Sequence, residues 1–269
     1  MVCAAKSVAN KQYLQYAVKS QMRHFTIRRI KDNFIFGTGG SVMNIANNIL
    51  KRSLQNVFFF VGTACGGKTT MGRELSKKYG FVYFSDNWNE PNWKEWESII
   101  DEKYQPYSYN GGKPFSNEEY FSRSVEEFLT DKKSKNSQAA GMENIAFSII
   151  EIIKLAQKNT VVADIWIEDF DFLLEISDYS RIACLLAPSE LIIRDYYPRD
   201  DHMDFTKAIQ SLENFEQKFE VQNELFRIGA REMAEKAEKY GLFSIMRSEE
   251  SAIENTLTLL EKHFCLTSK

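Results

Sequence analysis

The sequence predicts an α/β fold: a five-stranded parallel sheet sandwiched by helices, with a helical insertion between the second and third strands. Three observations predict it. Short apolar runs at 57–61, 81–84, 160–167, 181–187 and 242–246 are separated by stretches whose apolar residues recur every three or four positions, the pattern of strands joined by helical crossovers. The first run leads without a break into a glycine-rich loop and then a helical stripe. The third, Thr160-Val161-Val162-Ala163-Asp164-Ile165-Trp166-Ile167, is a β-branched apolar run interrupted by one acid, which reads as a buried parallel strand.

Composition sets the frame for these elements. The 269 residues allow one large α/β domain, or one domain with a sizeable insertion. Twenty Phe and 12 Tyr predict an aromatic core and pocket. A net charge of −3 argues against broad nucleic-acid binding. Cys3, Cys65, Cys184 and Cys265 lack C-x-x-C spacing, so reduced thiols of a cytoplasmic protein are expected rather than a disulfide or zinc framework. His24, His202 and His263 have no metal-ligand spacing. No apolar run approaches the roughly 18 residues of a membrane span. The basic N-terminus lacks the apolar centre of an export signal.

Residues 1–50 read as an N-terminal extension and packing helix ahead of a main domain at 51–269. The first 35 mix Lys11, Lys19, Arg23, Arg28, Arg29 and Lys31 with Tyr13, Tyr16 and Phe25. That mixture suits a solvated helix on the outside of the domain or a loose extension; a nucleic-acid arm is a third reading. Phe34-Ile35-Phe36 is strand-like and ends in a Gly37–Gly40 turn without the spacing of a dinucleotide fingerprint. Ser41 caps a helix through about Leu50, with Val42, Ile45, Ile49 and Leu50 on one face.

Val57-Phe58-Phe59-Phe60-Val61 is the first strand of the main domain. Gly62-Thr63-Ala64-Cys65-Gly66-Gly67-Lys68-Thr69 fits G-x-x-x-x-G-K-[ST], and strand, loop and helix follow in the order that a phosphate-binding loop requires. Glycines at 62 and 67 remove Cβ where backbone must curl around an anion. Loop N–H groups and the first helical turn supply partial positive charge. Residues Gly62 to Thr70 are therefore the expected nucleotide cradle. Lys68 would reach the β- and γ-phosphates, and the Thr69 hydroxyl would ligate Mg²⁺. Cys65 stands near the phosphates with no catalytic role. Met71, Leu75 and Tyr79 form the helix stripe, which Gly80 closes.

Phe81-Val82-Tyr83-Phe84 is the second strand, and Ser85-Asp86 ends it. Ligands of parallel sheets bind at carboxyl ends of strands, which places Asp86 to meet a substrate; a cap or surface acid is the plainer reading. Residues 87–159 form the insertion, expected to be a helical substrate-binding cap. A helix from about Asn92 carries Trp93, Trp96, Ile99 and Ile100. An aromatic turn segment runs from Tyr104 to Phe115. Ser116 opens another helix with Glu119 completing a capping box. Residues 131–138 read as an exposed loop, and 139–157 as an apolar helix with Met142, Ile145, Ile149, Ile152 and Ile153. Tyr107, Tyr109 and Arg123 either line the cap or pack it together.

Asp164 needs a partner in its apolar strand, and a Mg²⁺ shell beside the loop would supply one. Glu168 and Asp169 share that job or favour a helix N-terminus. After the fourth strand, Ser189 starts a helix that Tyr196-Tyr197-Pro198-Arg199 breaks. Arg194 and Arg199 suit a clamp on transferring phosphates, or Arg194 pairs with Asp195, Asp200 or Asp201. Residues 205–239 read as the longest helix, its stripe of Phe205, Ile209, Leu212, Phe215, Phe219 and Phe226 serving as core. Gly241 ends it. A last helix from about Ser248 carries Ile253, Leu257, Leu260 and Phe264.

This order resembles the P-loop small-molecule kinases, the adenylate, cytidylate and shikimate kinase group, over roughly residues 55–264. The resemblance rests on the loop and its flanks, a second strand ending in Asp86, the insertion, the strand bearing Asp164, and Leu186-Ala187-Pro188-Ser189-Glu190-Leu191-x-x-Arg194 with Arg199 nearby. It implies an ATP donor with Mg²⁺, a mobile lid containing Arg194 and Arg199, and an acceptor region in the insertion near Asp86. Catalytic residues are then Lys68, Asp86, Asp164, Arg194 and Arg199, with Thr69 and Asp164 serving the metal. Ile165-Trp166-Ile167-Glu168 stands where shikimate kinases carry Gly-Gly-Gly, and no Asp-Gly-Phe-Pro-Arg of adenylate kinases occurs, so the acceptor stays open. Neither the Asn-Lys-x-Asp of GTPases nor the Leu-Ser-Gly-Gly-Gln of ABC ATPases is present. The expected activity is phosphoryl transfer from ATP to a small molecule. The alternative is a nucleotide-binding switch or regulatory ATPase whose N-terminal residues face a protein partner.

Overall fold

The computed structural model describes residues 45–86, 116–133 and 135–266. The strand-like run at 34–36, the start of the Ser41 helix, the helix from Asn92 and the segment with Tyr107 and Tyr109 lie outside them. Helix α1 (Ile45–Ser53) runs past the predicted end at Leu50, and Ile49 is exposed rather than on a packed face. Strand β1 (Val57–Gly62) is buried throughout. Helix α2 (Lys68–Tyr79) starts after Gly67 and ends at Gly80, both in the left-handed region. Strand β2 (Val82–Ser85) follows.

Helices α3 (Asn117–Phe121) and α4 (Val125–Lys132) each open with a complete capping box, Ser116 with Glu119 and Ser124 with Glu127. The reciprocal bonds satisfy two orphan donors per helix, which lets such short helices form. Helix α5 (Lys135–Ala156) absorbs much of the predicted exposed loop at 131–138. Strand β3 covers only Val161–Asp164, so Asp164 is its last residue rather than an interruption. Helix α6 (Phe170–Ile176) is capped by Asp169, which accepts from the Phe172 N–H at 3.0 Å. Strand β4 (Ile182–Leu186), helix α7 (Ser189–Tyr196) and helix α8 (Met203–Gln210) come next.

The predicted single helix over 205–239 is two. A break at 211–214 separates α8 from α9 (Phe215–Lys239), and Asn214 takes φ 53° there. Asn tolerates that region better than most residues, so the chain turns where the apolar spacing runs on unbroken. The stripe is not deep core either: Ile209 is buried, but Phe215 is 39% exposed. The rings instead pack on one another, with Tyr196–Phe226 centroids at 4.7 Å, Tyr197–Phe219 at 4.8 Å and Phe121–Phe205 at 5.2 Å. Strand β5 (Ser244–Met246) and helix α10 (Ile253–His263) complete the chain, the helix starting later than predicted and leaving Ile253 exposed.

The strands form one parallel sheet in the order β2-β3-β1-β4-β5. Side chains alternate across it. Val57, Phe59 and Val61 of β1 join Val161 and Ala163 on one face, against Ile149, Ile152 and Ile153 of α5, Leu173 and Ile176 of α6, and Met233 of α9. Phe58, Phe60, Val162, Ala183 and Leu185 face the other way, against Met71 and Leu75 of α2 and Leu260 and Phe264 of α10. Asp164 shares the parity of Val162, which directs it toward the α2 side. Among the described residues no helix is long and apolar enough to cross a membrane.

Candidate active site

The loop from Gly62 to Lys68 lies at the carboxyl end of β1 and is pressed against β4. The Thr63 N–H donates to the Leu185 carbonyl at 3.1 Å, and the Thr63 hydroxyl accepts from the Ala187 N–H at 2.7 Å. A Cβ on Gly62, whose φ is +128°, would fall 2.0 Å from that same Leu185 oxygen. Gly67 takes φ +92° in open space. Cys65 also takes a positive φ, of 55°, and is buried against Ala187, Leu191 and Ile192. Burial pushes its thiol above the usual range despite the neighbouring Arg199. Ala64, Gly66 and Thr69 are half-buried, and the Thr70 side chain is exposed on the outer face of α2.

Parity and the loop together bring three of the expected residues to one place. Lys68 donates through Nζ to the Thr63 carbonyl at 2.7 Å. The Thr69 hydroxyl donates to Asp164 Oδ2 at 2.8 Å. Asp164 is only 5% exposed, so the partner it requires is found. Asp86 joins them: its N–H donates to the Asp164 carbonyl at 3.3 Å, and its Oδ2 accepts from the Trp166 N–H at 2.8 Å. The Trp166 side chain is 54% exposed next to it.

Although Asp86 as a residue is only half-buried, loss of hydration raises its carboxyl from 3.8 to about 7. The like charge of Asp164 adds to the rise, and the Trp166 N–H and Lys68 oppose it. The folded protein therefore keeps a proton that the unfolded chain releases between those values. The contribution of Asp86 to stability therefore falls as pH rises through that window, by at most about 1.4 kcal/mol per pH unit, and levels off above it. Asp86→Asn removes the effect while keeping an acceptor for the Trp166 N–H. In EDTA without nucleotide, denaturant titrations should show the variant gaining on the wild type from pH 4 towards pH 7. A difference that does not vary with pH would contradict the enclosed carboxyl.

The two arginines expected in a lid part company. Arg194 is bound to Asp195 at 2.6 Å and to Glu249, with its side chain 51% exposed. Arg199 pairs with Asp201 at 2.8 Å and lies beside the Cys65 thiol, hence beside the loop. Arg123 is held between the rings of Tyr120 and Phe128, at 4.5 and 3.9 Å, and pairs with Asp131. Glu168 pairs with Lys132 at 2.9 Å, and Asp169 caps α6.

Two residues at the site escape sequence reasoning. Arg247, just past β5, donates to the Cys65 carbonyl and to Asp195 Oδ2, both at 2.8 Å. It thus joins the loop to α7, and its only signal is its place after a strand's carboxyl end. Tyr83 donates from its hydroxyl to Asp164 Oδ2 at 3.0 Å. Burial and the Asp164 charge push the phenol well above its usual range, so it remains a donor. Its signal is Gly72: a glycine inside a helix weakens it by about 1 kcal/mol and marks a close approach. A Cβ there would meet the Tyr83 ring at 2.6 Å.

Whether this set suits Mg²⁺ follows from its chemistry. No group of three or more His, Cys, Asp or Glu able to hold a metal occurs among the described residues. Thr69 and Asp164 offer two adjacent hard oxygens instead. Mg²⁺ retains several waters and takes one or two protein groups plus phosphate oxygens, so the pair fits it.

Fold and loop define a P-loop α/β protein with its glycine-rich loop at the carboxyl end of β1, beside that of β3. Neither a protein-family model nor a curated protein matches the chain. Among solved structures, a shikimate kinase from Acinetobacter baumannii in complex with shikimate is 16% identical with a TM-score of 0.39, the match covering 81% of this chain and 99% of that one. A shikimate kinase from Bacteroides thetaiotaomicron is also 16% identical, with a TM-score of 0.35 and coverage of 78% and 98%. At this level of likeness the geometry around the loop, not the neighbours, carries the chemistry.

Proposed function

We propose that the chain is a cytoplasmic small-molecule kinase that transfers the γ-phosphoryl group of ATP. The observation that carries this reading is the Thr69–Asp164 hydrogen bond at the mouth of a phosphate loop, with Lys68 one residue away and Asp86 bonded to the Asp164 main chain. Loop N–H groups and the α2 N-terminus bind the phosphates. Lys68 exchanges the Thr63 carbonyl for phosphate oxygens, where its charge offsets the charge that develops in transfer. Thr69 and Asp164 would hold Mg²⁺, which supplies further charge neutralisation on the phosphates. Asp86, with its carboxyl poised near neutrality, orients the acceptor hydroxyl and takes its proton. Arg199 and Arg194 leave their aspartates to meet the phosphoryl group as the lid closes. Of the expected cap, α3 and α4 remain to cover the acceptor, since Ile149, Ile152 and Ile153 of α5 belong to the core under the sheet; closure keeps water from taking the phosphoryl group.

Thermal stability with Mg²⁺–ATP, Mg²⁺–GTP and a panel of nucleosides, sugars and acid metabolites tests the reading. A ligand at a hundred times its Kd adds about 2.7 kcal/mol, or roughly 5–10 °C for a domain of this size. A shift with ATP and a second from one metabolite are expected. A shift with nucleotide alone moves the assignment to a switch, and none with any nucleotide removes the phosphate site.

A further inference from the structure

Asp164 Oδ2 accepts from two elements at once, from Thr69 on α2 and from Tyr83 on β2. The Thr69 contact is the expected partner of a phosphate loop, and the Tyr83 contact has no part in the mechanism above. We propose that Tyr83 is a positioning residue for the metal-bearing acid, holding the Asp164 carboxylate in the orientation in which it and Thr69 receive Mg²⁺. The inference rests on the phosphotransferase reading and deepens it.

Several features converge on that role. Tyr83 is in register with Val162, and Ser85 with Asp164. Tyr83 therefore projects on the α2 side of the sheet, one alternation back from the acid. An aromatic ring there would ordinarily collide with the helix. Gly72 opens the slot, since a Cβ at that position would lie 2.6 Å from the ring. The Arg73 guanidinium lies over the same ring at 5.6 Å. Helix and strand are thus both shaped to let the phenol reach past α2. At its end the hydroxyl also lies among the hydroxyls of Thr69 and Ser85.

The arrangement matters because the ligand set is thin. With one hydroxyl and one carboxylate, the protein gives Mg²⁺ few contacts, and the orientation of each counts for more. Outer hydrogen bonds to metal-bearing groups typically change metal affinity by about 10–100-fold. A carboxylate held only by Thr69 could turn about its side-chain axis. Held also from β2, it cannot turn without breaking a buried charge-assisted bond.

The test uses the full chain and the non-hydrolysable β,γ-imido analogue of ATP, with affinity measured by calorimetry in Mg²⁺ and in EDTA. The ratio of the two affinities isolates the contribution of the metal. In Tyr83→Phe that ratio should shrink about tenfold, while the affinity in EDTA is unchanged. Gly72→Ala, which keeps the hydroxyl but crowds the ring away from Asp164, should shrink it too. It provides a second route should either variant be unstable. A ratio that both variants retain overturns the proposal while leaving the phosphate site intact. A fall of equal size in both arms also overturns it, because it marks a merely structural role. Wild-type protein that binds the analogue in neither arm removes the phosphotransferase reading, and the role of Tyr83 with it.

Discussion

Lys68→Ala protein should fold normally and lose phosphoryl transfer by at least about 10²–10³-fold, the loss typical for one preorganised donor to developing charge. The two halves of that expectation have separate causes. Among the described residues the Lys68 ammonium makes one hydrogen bond, to the Thr63 carbonyl. Such a bond contributes only about 0.5–1.5 kcal/mol net, so the thermal midpoint should move by no more than a few degrees. In the proposed transfer the ammonium faces phosphate oxygens, and the loop has no other lysine. Transfer is to be measured with the acceptor that the stability panel selects, alongside the melting curve. A variant that melts normally and still transfers at a near-normal rate would remove Lys68 from the mechanism.

The glycines of the loop should separate sharply in their effect on stability. Gly62→Ala meets two obstacles, a φ of +128° and a carbonyl oxygen 2.0 Å from the new Cβ. Leu185 cannot step back cheaply, because its oxygen accepts the Thr63 N–H and its strand pairs with β1 and β5. A loss above about 3 kcal/mol is expected, in the range where a named mechanism is required. For a domain of this size that lowers the melting midpoint by about 10 °C. Gly67→Ala meets only the strain of φ +92°, with no atom within 4 Å, and should lose about 1–3 kcal/mol. Melting curves of the two variants suffice. An equal or reversed order would mean that the loop is not seated on β4.

The same contrast shows what was legible in the residues. The five strands and the loop are readable because short apolar runs and G-x-x-x-x-G-K-[ST] are local patterns, and local patterns survive into the fold. Thr69 and Asp164 were readable as separate halves of a site for that reason. The helix over 205–239 was misjudged because periodicity does not register one left-handed residue: Leu212 keeps the spacing while Asn214 turns the chain. Arg194 and Arg199 stand in the same acid-rich segment, and which acid each adopts depends on rotamer and on Glu249, far along the chain. Tyr83 reads as core in Phe-Val-Tyr-Phe. Gly72 marks the close approach of its ring, and the pairing of β2 with β3 shows that its hydroxyl reaches the acid.

That pairing carries a consequence for how the protein fails. Asp164 reaches Thr69 because it falls on an even count along β3, the count shared by Val162 and opposed by Ala163. A strand offset by one residue would exchange the faces of every side chain on it. It would send the acid into the greasy layer under α5 and α6, where a carboxylate has no partner. Such an offset chain could neither pack that layer nor bring Asp164 to Thr69 beside the loop. Under the proposed reading, correct threading and a complete site are therefore a single event, so a misassembled molecule would be inert rather than active in the wrong way.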